Sequence, residues 1–264
     1  MIKREIAVVV SNSNKDVSVI DTIDAIQNAG FKNVFIQWYN KKWDITQEEQ
    51  LKYIREKGLN IIFAHLGYKN INNIWIDTED GNKLVEAYKN DIKICKESNI
   101  PMVVMHLTNE SQAPKYNEIG LKRLQEIVDY ARTLDMKVAF ENTKIKGYLD
   151  YVIENIKNDN VGICFDSGHY HVHFDDDLNF AKFKDRIFAV HLHDNDKSDD
   201  LHLIPFDGTI DWKKIIKELK KCNYNGPITM ELCYRYKYLD MGIANFYKKG
   251  YEIGKKLKEM FEEE

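Results

Sequence analysis

Val161-Gly162-Ile163-Cys164-Phe165-Asp166 is a run of strand length that ends on a carboxylate, with Ser167-Gly168-His169 directly behind it. It is apolar at consecutive rather than alternate positions, the pattern of a parallel strand covered on both faces. Runs of the same kind recur on either side, at Ile6–Val10, 33–38, Asn60–His65, 102–106, Lys137–Glu141, 187–193 and 227–231. Stretches with helical spacing separate them, among them 46–57, 84–97, 121–134, 149–156 and Trp212–Lys221, and a long one from about 243 to 261 closes the chain. Within 121–134, for example, Leu121, Leu124, Ile127, Val128 and Ala131 recur on one helical face. Strand and helix alternating eight times predict an α/β protein of the (β/α)8 barrel type, as one domain over residues 1–264.

The bulk numbers fit that architecture. The chain has 264 residues, 44% hydrophobic and 30% charged, enough apolar mass for a large core under a solvated surface. A formal net charge of −4 gives no ground for non-specific binding to nucleic acid or membrane. No Gly-x-Gly-x-x-Gly follows the first strand and no phosphate-binding Gly-x-x-x-x-Gly-Lys-Ser/Thr occurs, which removes the usual nucleotide-binding signals. Cys95, Cys164, Cys222 and Cys233 form no C-x-x-C pair, so a reducing compartment is expected. With no secretory h-region at the N-terminus and no apolar run near the roughly 18 residues that span a bilayer, the expected location is the cytoplasm.

The informative feature is how the runs end. The third closes on His65, the fourth on His106, the fifth on Glu141, the sixth on Asp166, the seventh on His191-Leu192-His193-Asp194 and the eighth on Glu231. In a parallel barrel these ends share one face and converge on one axis. A single histidine at a strand end reads as a hydrogen-bonded core residue. Six consecutive strands each delivering an ionisable group would bury unpaired charge at great cost unless a divalent cation collects them. His171 and His173, ahead of Asp175-Asp176-Asp177, read as loop residues rather than ligands, and the lysines of 213–221 as a solvated face. Asp211 reads as a helix cap and Trp212 as its packing partner.

Taken together, Ala64-His65, Met105-His106, Phe140-Glu141-Asn142, Phe165-Asp166-Ser167-Gly168-His169, Val190-His191-Leu192-His193-Asp194-Asn195-Asp196, Pro205-Phe206-Asp207-Gly208-Thr209-Ile210-Asp211-Trp212 and Met230-Glu231-Leu232 resemble the xylose isomerase-like TIM-barrel superfamily of sugar isomerases, epimerases and endonuclease IV. The usual Pro-Gly-Glu-Gly is Pro205-Phe206-Asp207-Gly208 here. Resemblance to the endonuclease branch implies metal ligands at His65, His106, Glu141, Asp166, His169, His191, Asp200, His202 and Glu231. Resemblance to the epimerase branch implies a smaller set, Glu141, Asp166, Glu231 and one histidine falling on His193. Strand alternation turns His191 and His193 the same way, so both stay candidates. The implied cofactor is one to three divalent ions, zinc, manganese or magnesium.

The activity implied is isomerisation or epimerisation of a small sugar or sugar phosphate. Glu141 and Glu231 would be the proton-transfer pair, and Lys144, Arg235, Lys237 and Trp38 the substrate contacts. The rival activity is phosphodiester hydrolysis at abasic sites in DNA. It has Tyr68 and the aromatic-basic stretch 38–43 in its favour, and the mixed-sign loops, with Asp77, Glu79, Asp80, Glu110, Asp196 and Asp199, against it. A barrel that binds metal or sugar without turnover is a third class. It is disfavoured by two carboxylates placed beside an open cation position.

Overall fold

A computed structural model describes residues 4–11, 13–38, 44–109, 112–174 and 180–263, with backbone alone at 180 and 181. The stretch 39–43, Glu110 and the triad Asp175 to Asp177 singled out above lie outside the described residues.

Eight parallel strands alternate with eight helices: β1 (Ile6–Val10), α1 (Val19–Ala29), β2 (Asn33–Gln37), α2 (Gln47–Glu56), β3 (Asn60–His65), α3 (Glu79–Glu97), β4 (Met102–Met105), α4 (Glu118–Thr133), β5 (Lys137–Glu141), α5 (Tyr148–Asn155), β6 (Val161–Asp166), α6 (Ser167–His173), β7 (Ile187–His191), α7 (Trp212–Lys221), β8 (Ile228–Met230) and α8 (Ile243–Glu262). From β1 to β7 each strand pairs with its sequence neighbour, and β1 also pairs with β8. Between β7 and β8 a single parallel bridge, Leu192 to Met230, with the Leu192 N–H donated to the Thr229 carbonyl at 2.9 Å, completes the (β/α)8 TIM barrel.

Local chemistry starts the helices where the sequence signals stand. Ser18, Asn117 and Asp211 accept backbone N–H groups of the first turns of α1, α4 and α7. Thr46 and Glu49 form a reciprocal capping box on α2. α7 buries Trp212, Ile215, Ile216 and Leu219 against the barrel and turns Lys213, Lys214 and Lys217 outward, as the periodicity predicts. Among the described residues no helix is long and apolar enough to cross a membrane.

The strands bury two kinds of inward residue. Val9, Phe35, Phe63, Val104, Ala139, Cys164 and Ala189 form an apolar cluster of their own, separate from the larger core under the helices. Two positions further along five of those strands stand His65, His106, Glu141, Asp166 and His191. Side chains alternate across a strand, so both sets face the axis, about 6–7 Å apart.

Two expectations are corrected. The ladders of β2, β4, β7 and β8 end at Gln37, Met105, His191 and Met230, short of Trp38, His106, His193 and Glu231, because the backbone leaves the sheet to start the rim loops. His171 and His173 lie in helix α6, not in a loop. The Asp166 carboxylate accepts the His169 N–H at 2.6 Å and caps a helix that begins straight from the strand.

Candidate metal centre

Glu141, at the end of β5 and 1% exposed, is the hub. Its Oε2 lies 3.0 Å from His65 Nε2 and 3.3 Å from His106 Nε2, and its Oε1 lies 3.1 Å from His169 Nδ1 and 3.4 Å from His191 Nδ1. His191 Nδ1 is also 3.3 Å from Glu231 Oε2 and 3.7 Å from Asp166 Oδ2. Among the described residues, ligand-type atoms therefore gather in three groups, each within 4.8 Å: His65–Glu141–His191, Glu141–Asp166–His191–Glu231, and His193–Asp200–His202. In the last, Asp200 Oδ2 is 3.0 Å from His202 Nε2 and 3.4 Å from His169 Nε2, and the His193 and His202 rings stack at 4.1 Å. His191 and His193, both candidates from the sequence, stand in two different places. His191 joins the Glu141 groups, while His193 puts Nε2 3.0 Å from Asp166 Oδ2 and faces Asp200.

Surrounding groups fix these side chains. His65, His169 and His202 each place Nδ1 3.0 Å from a backbone carbonyl, those of Leu66, Asn142 and Glu231. An Nδ1–H donated there leaves the Nε2 lone pair facing a carboxylate, the tautomer a metal-bound imidazole adopts. The Asn142 amide ties β5 to β6 by exchanging bonds with the Asp166 backbone at 2.9 and 2.8 Å. Ser167 Oγ donates to the His193 carbonyl at 2.7 Å and accepts the His193 N–H at 3.0 Å. Gly168 is required next to it, because a Cβ at that position would lie 1.9 Å from His193 Cε1.

The electrostatics fit a cation. Burial opposes charge on Glu141, but His191 and His106 more than offset it and hold the carboxyl well below its ordinary range. Burial likewise opposes charge on His169 and His202, yet Asp166, Asp200 and Glu141 hold His169 well above its usual range, and Asp200 does the same for His202. His191 is raised as well, by Cys164, Glu231 and Glu141 against burial. Burial pushes the Cys164 thiol up to about 12, so at neutral pH the carboxylates are the operative partners. A lone pair facing a carboxylate at 3 Å is repulsive unless a proton or a metal ion stands between them. Among the described residues, Glu141 Oε1, His191 Nδ1, His193 Nδ1 and Asp200 Oδ1 are buried without a hydrogen-bond partner of proper geometry. Carboxylate and imidazole donors with unsatisfied inward atoms are what a divalent ion requires.

The expected substrate contacts divide. Lys144 lines a rim cavity of about 140 Å³ with Tyr68, His106, Thr108, Asn109, Thr143, His169 and Asp200. Arg235 donates to the Asp200 carbonyl at 3.0 Å and braces that loop, whereas exposed Lys237 donates to the Asp207 carbonyl at 2.9 Å. Trp38 is 2% exposed in the core under the helices, where its indole meets Asp91 of α3. His171 pairs with the Thr209 hydroxyl at 2.8 Å, and His173 stands one turn beyond His169 at 6.4 Å between ring centroids. Sequence reasoning passed over Thr108, Asn109 and Thr143. Thr108 and Thr143 share a buried hydroxyl bond of 2.8 Å, and all three stand within two or three residues of a strand-end ligand, the one signal that pointed to them. Tyr68, noted for its aromatic ring alone, stacks on His106 at 4.0 Å.

Comparison with known proteins agrees with this frame. Residues 23–257 match the family model of the xylose isomerase-like TIM barrel. An uncharacterised protein of Sinorhizobium fredii is 29% identical over 190 residues, 67% of this chain and 60% of that protein. The inosose isomerase of Bacillus licheniformis is 26% identical over 59% of this chain and 62% of its own length. A probable endonuclease 4 of Mycoplasma capricolum is 29% identical over 40% of this chain and 43% of its own length. The chain thus spans less than two thirds of these relatives. Among solved structures, a D-tagatose 3-epimerase-like protein superposes with a TM-score of 0.75 at 23% identity over 98% of both chains, a likeness of fold. With the match running from α1 to α8, the chain belongs to the xylose isomerase-like TIM-barrel family.

Proposed function

We propose that the protein is a divalent-cation-dependent isomerase or epimerase of a small sugar or sugar phosphate, with Glu141 and Glu231 as its proton-transfer groups. The observation that carries this reading is the approach of the two carboxylates, from β5 and from beyond β8, to one imidazole nitrogen, His191 Nδ1, at 3.4 and 3.3 Å. The likeness to an inosose isomerase and the epimerase-like fold support it. Glu141, Asp166, His191 and Glu231 would hold the principal ion, with His65 and His106 beside it and His169, His193, Asp200 and His202 around a further one. The carboxylate-rich group suits manganese or magnesium and the imidazole-rich groups suit zinc. A divalent ion held there would polarise a substrate carbonyl and make the adjacent carbon acidic.

The chain's own residues do the rest. One carboxylate takes the carbon-bound proton and the other delivers a proton to the opposite face, which inverts the centre. Return to the neighbouring carbon instead shifts the carbonyl. Tyr68 and Lys144 stand at the mouth to orient hydroxyls or a phosphate. The four free cysteines suit a reducing cytoplasm.

The test is exchange of a carbon-bound proton of ketoses and ketose phosphates with deuterated solvent by cation-loaded protein. Glu231→Gln keeps the shape but cannot accept the proton, and lowers exchange by about 10³-fold or more, with ion content measured alongside. A second reading, phosphodiester hydrolysis at abasic sites, is favoured by the three separate ligand groups and the likeness to a probable endonuclease 4. Efficient cleavage of an abasic duplex, with no exchange across a broad sugar panel, replaces the first reading by the second.

A further inference from the structure

The segment from Leu192 to Asp211 joins β7 to α7 without a helix, and it delivers Asp200 and His202 to the third ligand group. Its backbone takes the left-handed conformation at Lys197, His202 and Phe206, with φ of 71°, 47° and 74°. Side-chain-bearing residues adopt that conformation only when their surroundings hold them there. Asn195, Tyr238, Arg235 and Lys249 each tie down part of the segment, and Asp194 ties several of its parts to one another. Asp194 is 0% exposed, and its N–H and carbonyl exchange 2.8 Å bonds with Leu203, the residue after His202.

Its carboxylate is saturated by four donors from the same segment and its end. Oδ1 accepts the Asn195 N–H at 2.9 Å and the Ile210 N–H at 3.1 Å. Oδ2 accepts the Phe206 N–H at 2.9 Å and the Trp212 indole N–H at 2.8 Å. Four donors occupy the lone-pair sites of a carboxylate, so this group has none left for a metal although it directly follows His193. Backbone also crowds it: a Cβ on Gly208 would lie 2.3 Å from Asp194 Oδ1 and from the Asn195 carbonyl oxygen. Beyond β8, His202 is tethered by its Nδ1 contact with the Glu231 carbonyl at 3.0 Å and by the Cys233 N–H, which donates to its carbonyl at 3.2 Å.

We propose that Asp194 is a positioning residue that hangs Asp200 and His202 on the barrel, making the third ligand group a unit that can be lost while the two Glu141-centred groups remain. The proposal rests on the cation-binding reading of the cluster but not on any substrate. In Asp194→Asn the amide turns two N–H groups toward two of the four donors, whichever way it is flipped, so one side of the hub is broken. His65, His106, Glu141, Asp166 and Glu231 stand at or just beyond the ends of other strands, His191 ends β7 itself, and none of them takes part in the four bonds to the Asp194 carboxylate.

The experiment compares full-length wild type, Asp194→Asn and Trp212→Phe for zinc per chain by elemental analysis and for amide hydrogen exchange. Asp200→Ala serves as the control that removes a ligand outright. Asp194→Asn is expected to bind one zinc fewer than wild type, and amides of residues 197–210 to exchange at least tenfold faster while those of β3 to β6 do not change. Trp212→Phe, which removes one donor of four, is expected to keep the ion count, weaken the last zinc bound by several-fold, and speed exchange in the same segment. Wild-type ion count and protection in Asp194→Asn would overturn the proposal. If that variant does not fold, unchanged last-zinc affinity and exchange in Trp212→Phe overturn it instead. A wild type that binds no zinc at all defeats the cation reading, and the exchange comparison still decides whether Asp194 holds the segment.

Discussion

Two layers inside the same barrel, one strand step apart, have opposite chemistry. The lower is Val9, Phe35, Phe63, Val104, Ala139, Cys164 and Ala189, buried and apolar. The upper, at the ends of five of the same strands, is His65, His106, Glu141, Asp166 and His191, also buried and wholly ionisable. Burial is therefore not what separates them. Apart from the Cys164 thiol, which meets His191, the lower layer is satisfied by contact, as in the Phe35–Phe63 stack at 4.5 Å. The upper layer is satisfied by mutual compensation, carboxylate against imidazole, with inward atoms still unsatisfied. Phe35, stacked on His191 at 5.0 Å and 10°, is where they meet: the apolar floor sets the plane of a ligand ring. A barrel can thus carry a charged site at no cost to its core, provided the charges stay within one layer and bring their partners.

The largest effect comes from moving a charge one step down. Ala139 is 0% exposed on β5, directly below Glu141, and its neighbours in the lower layer are hydrocarbon and a thiol. Ala139→Asp places a carboxylate in that apolar layer, with the His191 ring only at its upper edge. It is expected to remove about 4 kcal/mol or more of stability, a large part of what a domain has. Denaturant midpoint and soluble yield measure it. An unchanged midpoint shows that the lower layer accommodates charge and that the distinction between layers is wrong.

The alternation explains how much of this was legible in the sequence. Apolar runs ending on His65, His106, Glu141, Asp166 and Glu231 locate the strands and the face, because a parallel strand reads as a block and its last inward residue as a change of chemistry. What followed the strands was less legible. α6 has no apolar periodicity, and only the cap at Asp166 reveals it. The parts of His191 and His193 differ because the ladder stops at His191, beyond which the loop, not the pleat, aims the side chain. Asp194 reads as one more acid in an acidic motif, since its donors Phe206, Ile210 and Trp212 stand 12 to 18 residues away and their convergence is a property of the folded loop. Trp38 and Lys237 were assigned by position, and the structure turns one toward Asp91 and the other toward Asp207.

A smaller effect sharpens the account of the upper layer. With no cation, carboxylates hold His169, His191 and His202 above their usual range, so these imidazoles carry protons at neutral pH. A metal ion needs them neutral, so binding must expel protons. Cation affinity should therefore rise with pH, by about tenfold per pH unit for each proton displaced, or about 1.4 kcal/mol. Calorimetric titration with zinc in two buffers of different ionisation enthalpy counts the protons. Binding without proton release would mean that the imidazoles are already neutral and that the carboxylates do not govern them.

The smallest effect asks what burial does to a carboxylate that belongs to neither layer. Asp91, half-buried on α3, has no cationic partner among the described residues. Desolvation raises its pKa to about 6, and the Trp38 indole opposes this only in part. Glu141 and Asp166, more deeply buried, go the other way because imidazoles surround them. For Asp91 the folded pKa lies above the unfolded one, so its contribution to stability is fully present below about pH 4 and is lost as pH rises through about 6. At pH 7 the ionised group is a liability that Asp91→Asn removes while keeping an oxygen for the indole. After discounting for partial exposure the gain is about 1 kcal/mol, or 2–4 °C in Tm for a chain of this size. Near pH 4 wild type and variant should melt together, so the difference between them, followed from pH 4 to 8, isolates this residue from every other titration. A difference that stayed flat with pH, or grew toward acid, would show that Asp91 is held ionised like Glu141 and that a partner, not burial, sets its charge.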